Sequence, residues 1–186
     1  MSKLIYANNM SLDGYVEDAS GKFDWFPIDE EVFAVHTDLL RSADTFLYGR
    51  RLYEAMSVWE TEPALAAQSD LMAEFVKVWK AASKVVYSTT LTDVSTGDTR
   101  IERRFDVAAV RDMKAKATSN LTIGGAQLAS EAFNAGLVDE VELYVLPVLV
   151  GGGKPALSPD ARTTLELLDE HRFGNGVVRL QYRVLT

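Results

Sequence analysis

Cysteine is absent from the 186 residues, so disulfides, thiolate metal sites and cysteine nucleophiles are excluded. Histidine is nearly absent too. His36 and His171 have no second ligand at metal spacing, so no metal site is expected. Long apolar runs are missing, and no segment can span a bilayer. The opening Met1-Ser-Lys-Leu-Ile-Tyr6 carries no signal-type stretch or cleavage site, which makes a cytoplasmic protein the default. Positive charge is scarce: 19 Lys and Arg stand against 27 Asp and Glu, a net of −8. That balance disfavours a general binder of nucleic acid or anionic membrane. A small-molecule enzyme or binding protein remains. An anionic ligand would then need a local basic pocket set against the overall field.

Hydrophobic residues make up 47% of the chain, enough for one domain with a substantial core over residues 1–186. Lys3–Asn8 predicts a strand, followed by an Asp13-Gly14 turn and a brief extended run at Tyr15-Val16. The Glu17–Pro27 connection holds Phe23, Trp25 and Phe26, which either plug the end of the core or form a lid. Asp29 is placed to cap a helix through Arg41, with Val32, Phe33, His36, Leu39 and Leu40 on its inner face. A strand is predicted over Asp44–Tyr48, then one or two helical turns from Gly49 to Met56. Leu65–Lys80 reads as a longer helix with a core stripe at Leu71, Met72, Phe75, Val76 and Trp79. Strands at Lys84–Tyr87 and Thr99–Ile101 precede a helix at Val107–Ala117.

Asn120–Gly136 then gives a covered strand, two glycines and a helix that opens at once. Asp139–Leu146 alternates as a half-exposed strand ending at Pro147, and Gly151–Pro155 reads as a loop. Leu165–Phe173 and Val177–Val184 flank Gly174-Asn-Gly176, a hairpin signature. The order implies an α/β fold: a mainly parallel central sheet flanked by helices, with a C-terminal antiparallel hairpin.

Ligands of such sheets bind beyond the C-terminal ends of the strands, which draws attention to three turns. Gly124 and Gly125 either serve a tight turn sterically or let an anion reach the N–H groups opening the next helix. Arg50 and Arg51, after Gly49, sit at a helix start where the dipole disfavours cations. They are either solvated arginines paired with Glu54 or, as we favour, a phosphate grip. Ser88-Thr89 ends another strand, where hydroxyls also simply terminate turns.

Ser11-Leu-Asp-Gly-Tyr15, Tyr48-Gly-Arg-Arg-Leu-Tyr-Glu54, Val86-Tyr-Ser-Thr89 and Thr122-Ile-Gly-Gly-Ala126 together resemble the dihydrofolate reductase-like family. The branch most resembled is the C-terminal reductase domain of the bifunctional riboflavin-biosynthesis deaminase/reductase, with its stand-alone relatives. The most specific stretch runs from Leu137 to Pro155, and the resemblance spans nearly the whole chain. It implies a homodimer that binds NADPH and reduces a pterin-like or pyrimidine-like substrate. A 5-amino-6-(ribosylamino)uracil-type reductase and a non-catalytic NADPH-binding dimer are the alternatives.

By the resemblance, Gly49, Arg50 and Arg51 would hold the 2′-phosphate side, and Ser88 and Thr89 the adenosine phosphates. Gly124, Gly125, Ala126, Gln127 and Leu128 would line the diphosphate. Asp13 and Gly14 would approach nicotinamide and substrate, with Pro147, Gly151, Gly152 and Gly153 closing the substrate side. Asp13 is the candidate catalytic carboxylate, its alternative being an ordinary turn aspartate. Asp29, Glu30 and Glu31 crowd the start of the first helix, where capping explains them. One departure stands out: Leu52 occupies the position where dihydrofolate reductases usually have a phosphate-binding threonine.

Overall fold

The alternation at the start of the chain becomes β1, Leu4–Ser11, which lies inside the sheet with a parallel partner on each side. In the computed structural model, which describes residues 2–157 and 162–185, β2 (Tyr15–Asp18) follows, then α1 (Glu30–Arg41) and β3 (Ala43–Gly49). The chain continues through α2 (Arg50–Met56), α3 (Val58–Thr61), α4 (Pro63–Ala66), α5 (Asp70–Ala81), β4 (Ser83–Tyr87) and β5 (Thr99–Glu102). It ends with α6 (Val107–Lys116), β6 (Asn120–Gly124), α7 (Ala126–Asn134), β7 (Glu140–Leu146), β8 (Gly153–Pro155), β9 (Thr164–Arg172) and β10 (Val178–Leu185).

Eight strands form one sheet in the order β5-β4-β3-β6-β1-β7-β10-β9. All pairs from β5 to β7 are parallel, while β10 runs antiparallel to both β7 and β9. The expected α/β architecture with its closing hairpin is therefore present. β2 and β8 pair separately as a short antiparallel ribbon.

Alternation along the strands divides the core between two faces. Leu4 and Tyr6 of β1, Leu47 of β3 and Val141 and Leu143 of β7 share one cluster with Leu128, Ala129 and Ala132 of α7. On the opposite face, Phe46 and Tyr48 pack with Phe75 and Trp79 of α5. Farther along that face, Tyr144 and Leu146 meet Val32 of α1, with Trp25 and Phe26 packed beside them. Those two aromatics plug the core end, whereas Phe23 is 63% exposed.

Three local expectations change. The single helix over Leu65–Lys80 is two, because Ser69 accepts from the Met72 N–H at 3.1 Å and starts α5 afresh. Part of the Gly151–Pro155 loop is the strand β8. The largest change is β7. Its alternation implied a half-exposed strand, yet Glu140 and Glu142 are each only 4% exposed and Tyr144 is buried. Lys3 reaches Glu140 at 2.5 Å, and the Tyr144 hydroxyl donates to Glu142. Partnered charges allow a polar pattern inside a covered strand. No helix among the described residues is long and apolar enough to cross a membrane.

Candidate functional site

Because β1, β3, β4, β6 and β7 are mutually parallel, their C-terminal ends share one edge of the sheet. The turns that follow them are thus brought together there. Strand order sets the sequence along the edge. Ser88-Thr89 comes first, then Gly49-Arg50-Arg51, then Gly124–Leu128, then Asp13-Gly14, and finally Pro147–Gly153. The turns singled out from the sequence at strand ends all follow strands of this edge. An extended ligand crossing it would meet the arginines at one end and Asp13 toward the other.

The diglycine turn has both steric and conformational causes. A Cβ on Gly124 would stand 2.3 Å from Cδ2 of Leu52, so that leucine packs where a side chain would otherwise be. Gly125 has φ +95 and its Cβ position lies 3.6 Å from the Gly49 amide nitrogen, which brings the two turns against each other. No side chain caps α7, so its first-turn N–H groups are left without a side-chain acceptor. Gln127 is exposed. The side chain of Leu128 belongs to the core, which restricts its contribution at the edge to backbone.

α2 likewise opens on Gly49 without a side-chain cap. Arg50 pairs with Glu54 at 3.3 Å, and Arg51 reaches over to Glu17 of β2 at 3.5 Å. Lys154 of β8 meets the other oxygen of Glu17 at 2.8 Å. The Arg50–Glu54 pair is solvent-exposed and so holds its side chains weakly, by about 0–1 kcal/mol, while Arg51 is exposed and its partner Glu17 half-buried. Ser88 Oγ accepts from the Thr90 and Leu91 amides at 3.2 and 2.9 Å, which gives it a turn-forming role; Thr89 is exposed.

Asp13 joins two turns. Its carboxylate accepts from the Gly151 N–H at 2.8 Å and the Val150 N–H at 3.2 Å. Beside it, the Leu12 N–H donates to the Val148 carbonyl at 2.8 Å. A hydrogen bond from the Ser11 hydroxyl, helped by the Gly151 and Val150 amides, lowers the Asp13 pKa below the ordinary carboxylate value. Asp13 is therefore an anionic acceptor at neutral pH. Gly14 turns the chain into β2, its N–H donating to the Ser11 carbonyl at 2.9 Å. Gly153 is fixed sterically, since a Cβ there would fall 1.9 Å from the Glu17 carbonyl oxygen. Pro147 and Gly151 are exposed and Gly152 is half-buried.

Of the acidic residues opening α1, Asp29 alone makes the capping hydrogen bond that was expected, while Glu31 reaches the hairpin turn. Asp29 accepts from the Val32 N–H at 3.0 Å, Glu31 accepts from the Gly174 N–H at 3.3 Å, and Glu30 is exposed. Among the described residues, no group of three or more His, Cys, Asp or Glu is arranged to hold a metal.

The structure also brings forward two residues that the sequence did not connect with the site. The ring of His36 packs edge-on against Tyr144 with centroids 4.0 Å apart, and burial lowers its pKa to about 4. Asn9 faces Tyr144 across the β1–β7 pairing, and its Oδ1 is buried with no hydrogen-bond partner. The signal for Asn9 was present: an amide side chain continuing a strand-forming run.

The sequence matches the RibD C-terminal domain over residues 2–179. It is 30% identical over 175 residues to the uncharacterized protein YyaP of Bacillus subtilis, covering 93% of this chain and 90% of that protein. Among solved structures, a putative riboflavin biosynthesis protein from Shewanella sp. PV-4 superposes with TM-score 0.74 at 22% identity, over 99% of each chain. A Thermotoga maritima diaminohydroxyphosphoribosylaminopyrimidine deaminase/5-amino-6-(5-phosphoribosylamino)uracil reductase superposes with TM-score 0.65 at 16% identity. It covers 99% of this chain and 57% of that one. These two likenesses carry the fold, and the domain match carries the family. The chain belongs to the RibD C-terminal domain family.

Proposed function

We propose that this protein is an NADPH-dependent reductase of a pyrimidine-like or pterin-like heterocycle. The observation that carries the reading is the alignment, on one sheet edge, of a basic turn, an uncapped glycine-helix turn and a carboxylate-pinned turn. The residues fit a dinucleotide. After Gly49, Arg50 and Arg51 supply positive charge in a chain of net −8, and guanidinium forks suit a 2′-phosphate. Gly124 is buried and makes room for Leu52, while the half-buried Gly125 leaves backbone accessible beside the opening N–H groups of α7, where a diphosphate is favoured. When bound, the nicotinamide would supply the hydride.

The chain's own part is to bind and orient. Asp13 fixes the turn after β7 through the Val150 and Gly151 amides, which holds Pro147–Gly153 beside the turn after β1. Trp25 and Phe26, packed near Tyr144 and Leu146, cover the neighbouring face. Accepting from both amides gives Asp13 a positioning role in this reading. The reading includes a homodimer, supported by exposed Leu167, Leu168 and Leu185 on the outer hairpin. Light scattering of the purified protein tests that part.

Turnover is tested by following NADPH consumption with dihydrofolate, dihydrobiopterin and 5-amino-6-(ribosylamino)uracil. Consumption with one of them is expected. Tight NADPH binding without consumption by any would favour the non-catalytic alternative.

A further inference from the structure

β6 accompanies β1 only as far as Ile123 opposite Tyr6, whereas β7 continues alongside β1 to Ser11. Asn9 stands three residues past the last β6 partner. Tyr144 is opposite it on one side, and toward the other the chain leaves the sheet through Gly124 and Gly125. Alternation puts the Asn9 side chain on the sheet face that carries Tyr144, the face covered by α1. There Oδ1 is buried, and no donor among the described residues reaches it.

A buried amide oxygen without a donor is unfavourable, so stability gives no reason for asparagine at this position. A leucine of similar size would suit a covered strand better. Nearby polar groups do not resolve the deficit. The Tyr144 hydroxyl is committed to Glu142, and the neutral His36 ring is packed against Tyr144. The acceptor is uncharged and stands opposite the aromatic Tyr144, so its complement is an uncharged N–H on a flat ring.

We infer that Asn9 is a specificity-determining residue, whose side-chain oxygen accepts a lactam N–H from the heterocyclic substrate. The inference rests on the reductase reading for the choice of heterocycle, and its test separates the two. Calorimetric titration would compare wild type, Asn9→Leu and Asn9→Ala for binding of NADPH and of 5,6-diaminouracil, alongside Tm.

Both variants are expected to lose about tenfold or more in affinity for 5,6-diaminouracil. NADPH affinity should stay within about twofold, and Asn9→Leu should melt no lower than wild type. Unchanged pyrimidine affinity in the variants would overturn the inference. So would a lower Tm for Asn9→Leu, which would give Asn9 a structural role. A loss confined to NADPH would overturn it too, by moving the N–H to the nicotinamide carboxamide, as would wild type that binds no pyrimidine. Asn9-dependent pyrimidine binding without any NADPH binding would uphold the inference and sink the reductase reading instead.

Discussion

The Asp13 carboxylate accepts the Gly151 N–H at 2.8 Å and thereby ties the turn after β1 to the turn after β7. Those turns are 138 residues apart in sequence and adjacent on the sheet edge. Asp13→Ala should free the Val148–Gly151 segment, lower Tm by a few degrees and reduce kcat. Asp13→Asn keeps an acceptor and should recover most of the Tm. Amide hydrogen exchange at Val150 and Gly151 checks the cause: both should exchange faster in Asp13→Ala. Unchanged exchange there would remove Asp13 from its positioning role.

Gly124 and Leu52 form a second coupled pair. A methyl at Gly124 would press on Cδ2 of Leu52 from 2.3 Å, so Gly124→Ala should cost about 1–3 kcal/mol, the usual range for overpacking. The double variant Gly124→Ala/Leu52→Ala should recover part of that loss relative to the sum of the single changes. Denaturant unfolding measures the cycle. Strict additivity would show that the leucine does not impose the glycine.

How much of this was legible beforehand depended on how local the cause was. The diglycine turn, the Asp29 cap and the Gly174–Gly176 hairpin are set by neighbours in sequence, and each formed where its residues predicted. β8 could not be read, because Gly153–Pro155 becomes a strand only through pairing with Tyr15–Asp18. Glu140 and Glu142 looked like solvent-facing positions; their partners Lys3 and Tyr144 become evident only once the strands are placed. The turns of the site were visible one by one from strand-end position and side-chain chemistry. The fixed side of that site was not. Asn9 and His36 acquire meaning through Tyr144, which each meets only in the assembled fold.

His36 makes acidification costly. Its folded pKa, about 4, lies below the ordinary value of 6.5 because of burial. Between those values the unfolded chain binds the extra proton, so stability should fall as pH drops from about 6.5 toward 4. The full shift corresponds to about 3 kcal/mol, reduced because the residue keeps part of its surface. His36→Phe should flatten the stability profile in that window while leaving the lower-pH losses in place. Asp18 contributes to those, its pKa held at about 2 chiefly by the Ser20 hydroxyl. Equilibrium unfolding at stepped pH reads both windows. An equal slope in His36→Phe would assign the acid sensitivity to other groups.

The reductase account rests most heavily on the arginine turn as the seat of an adenosine 2′-phosphate. Its most direct test is paired titration with NADPH and NADH, followed by quenching of the three tryptophans. Wild type should prefer NADPH by about tenfold or more. Arg50→Ala and Arg51→Ala should each weaken NADPH binding while leaving NADH nearly unchanged. Equal affinity for the two cofactors in wild type would contradict the phosphate role of the arginines, and binding of neither would contradict the enzyme itself.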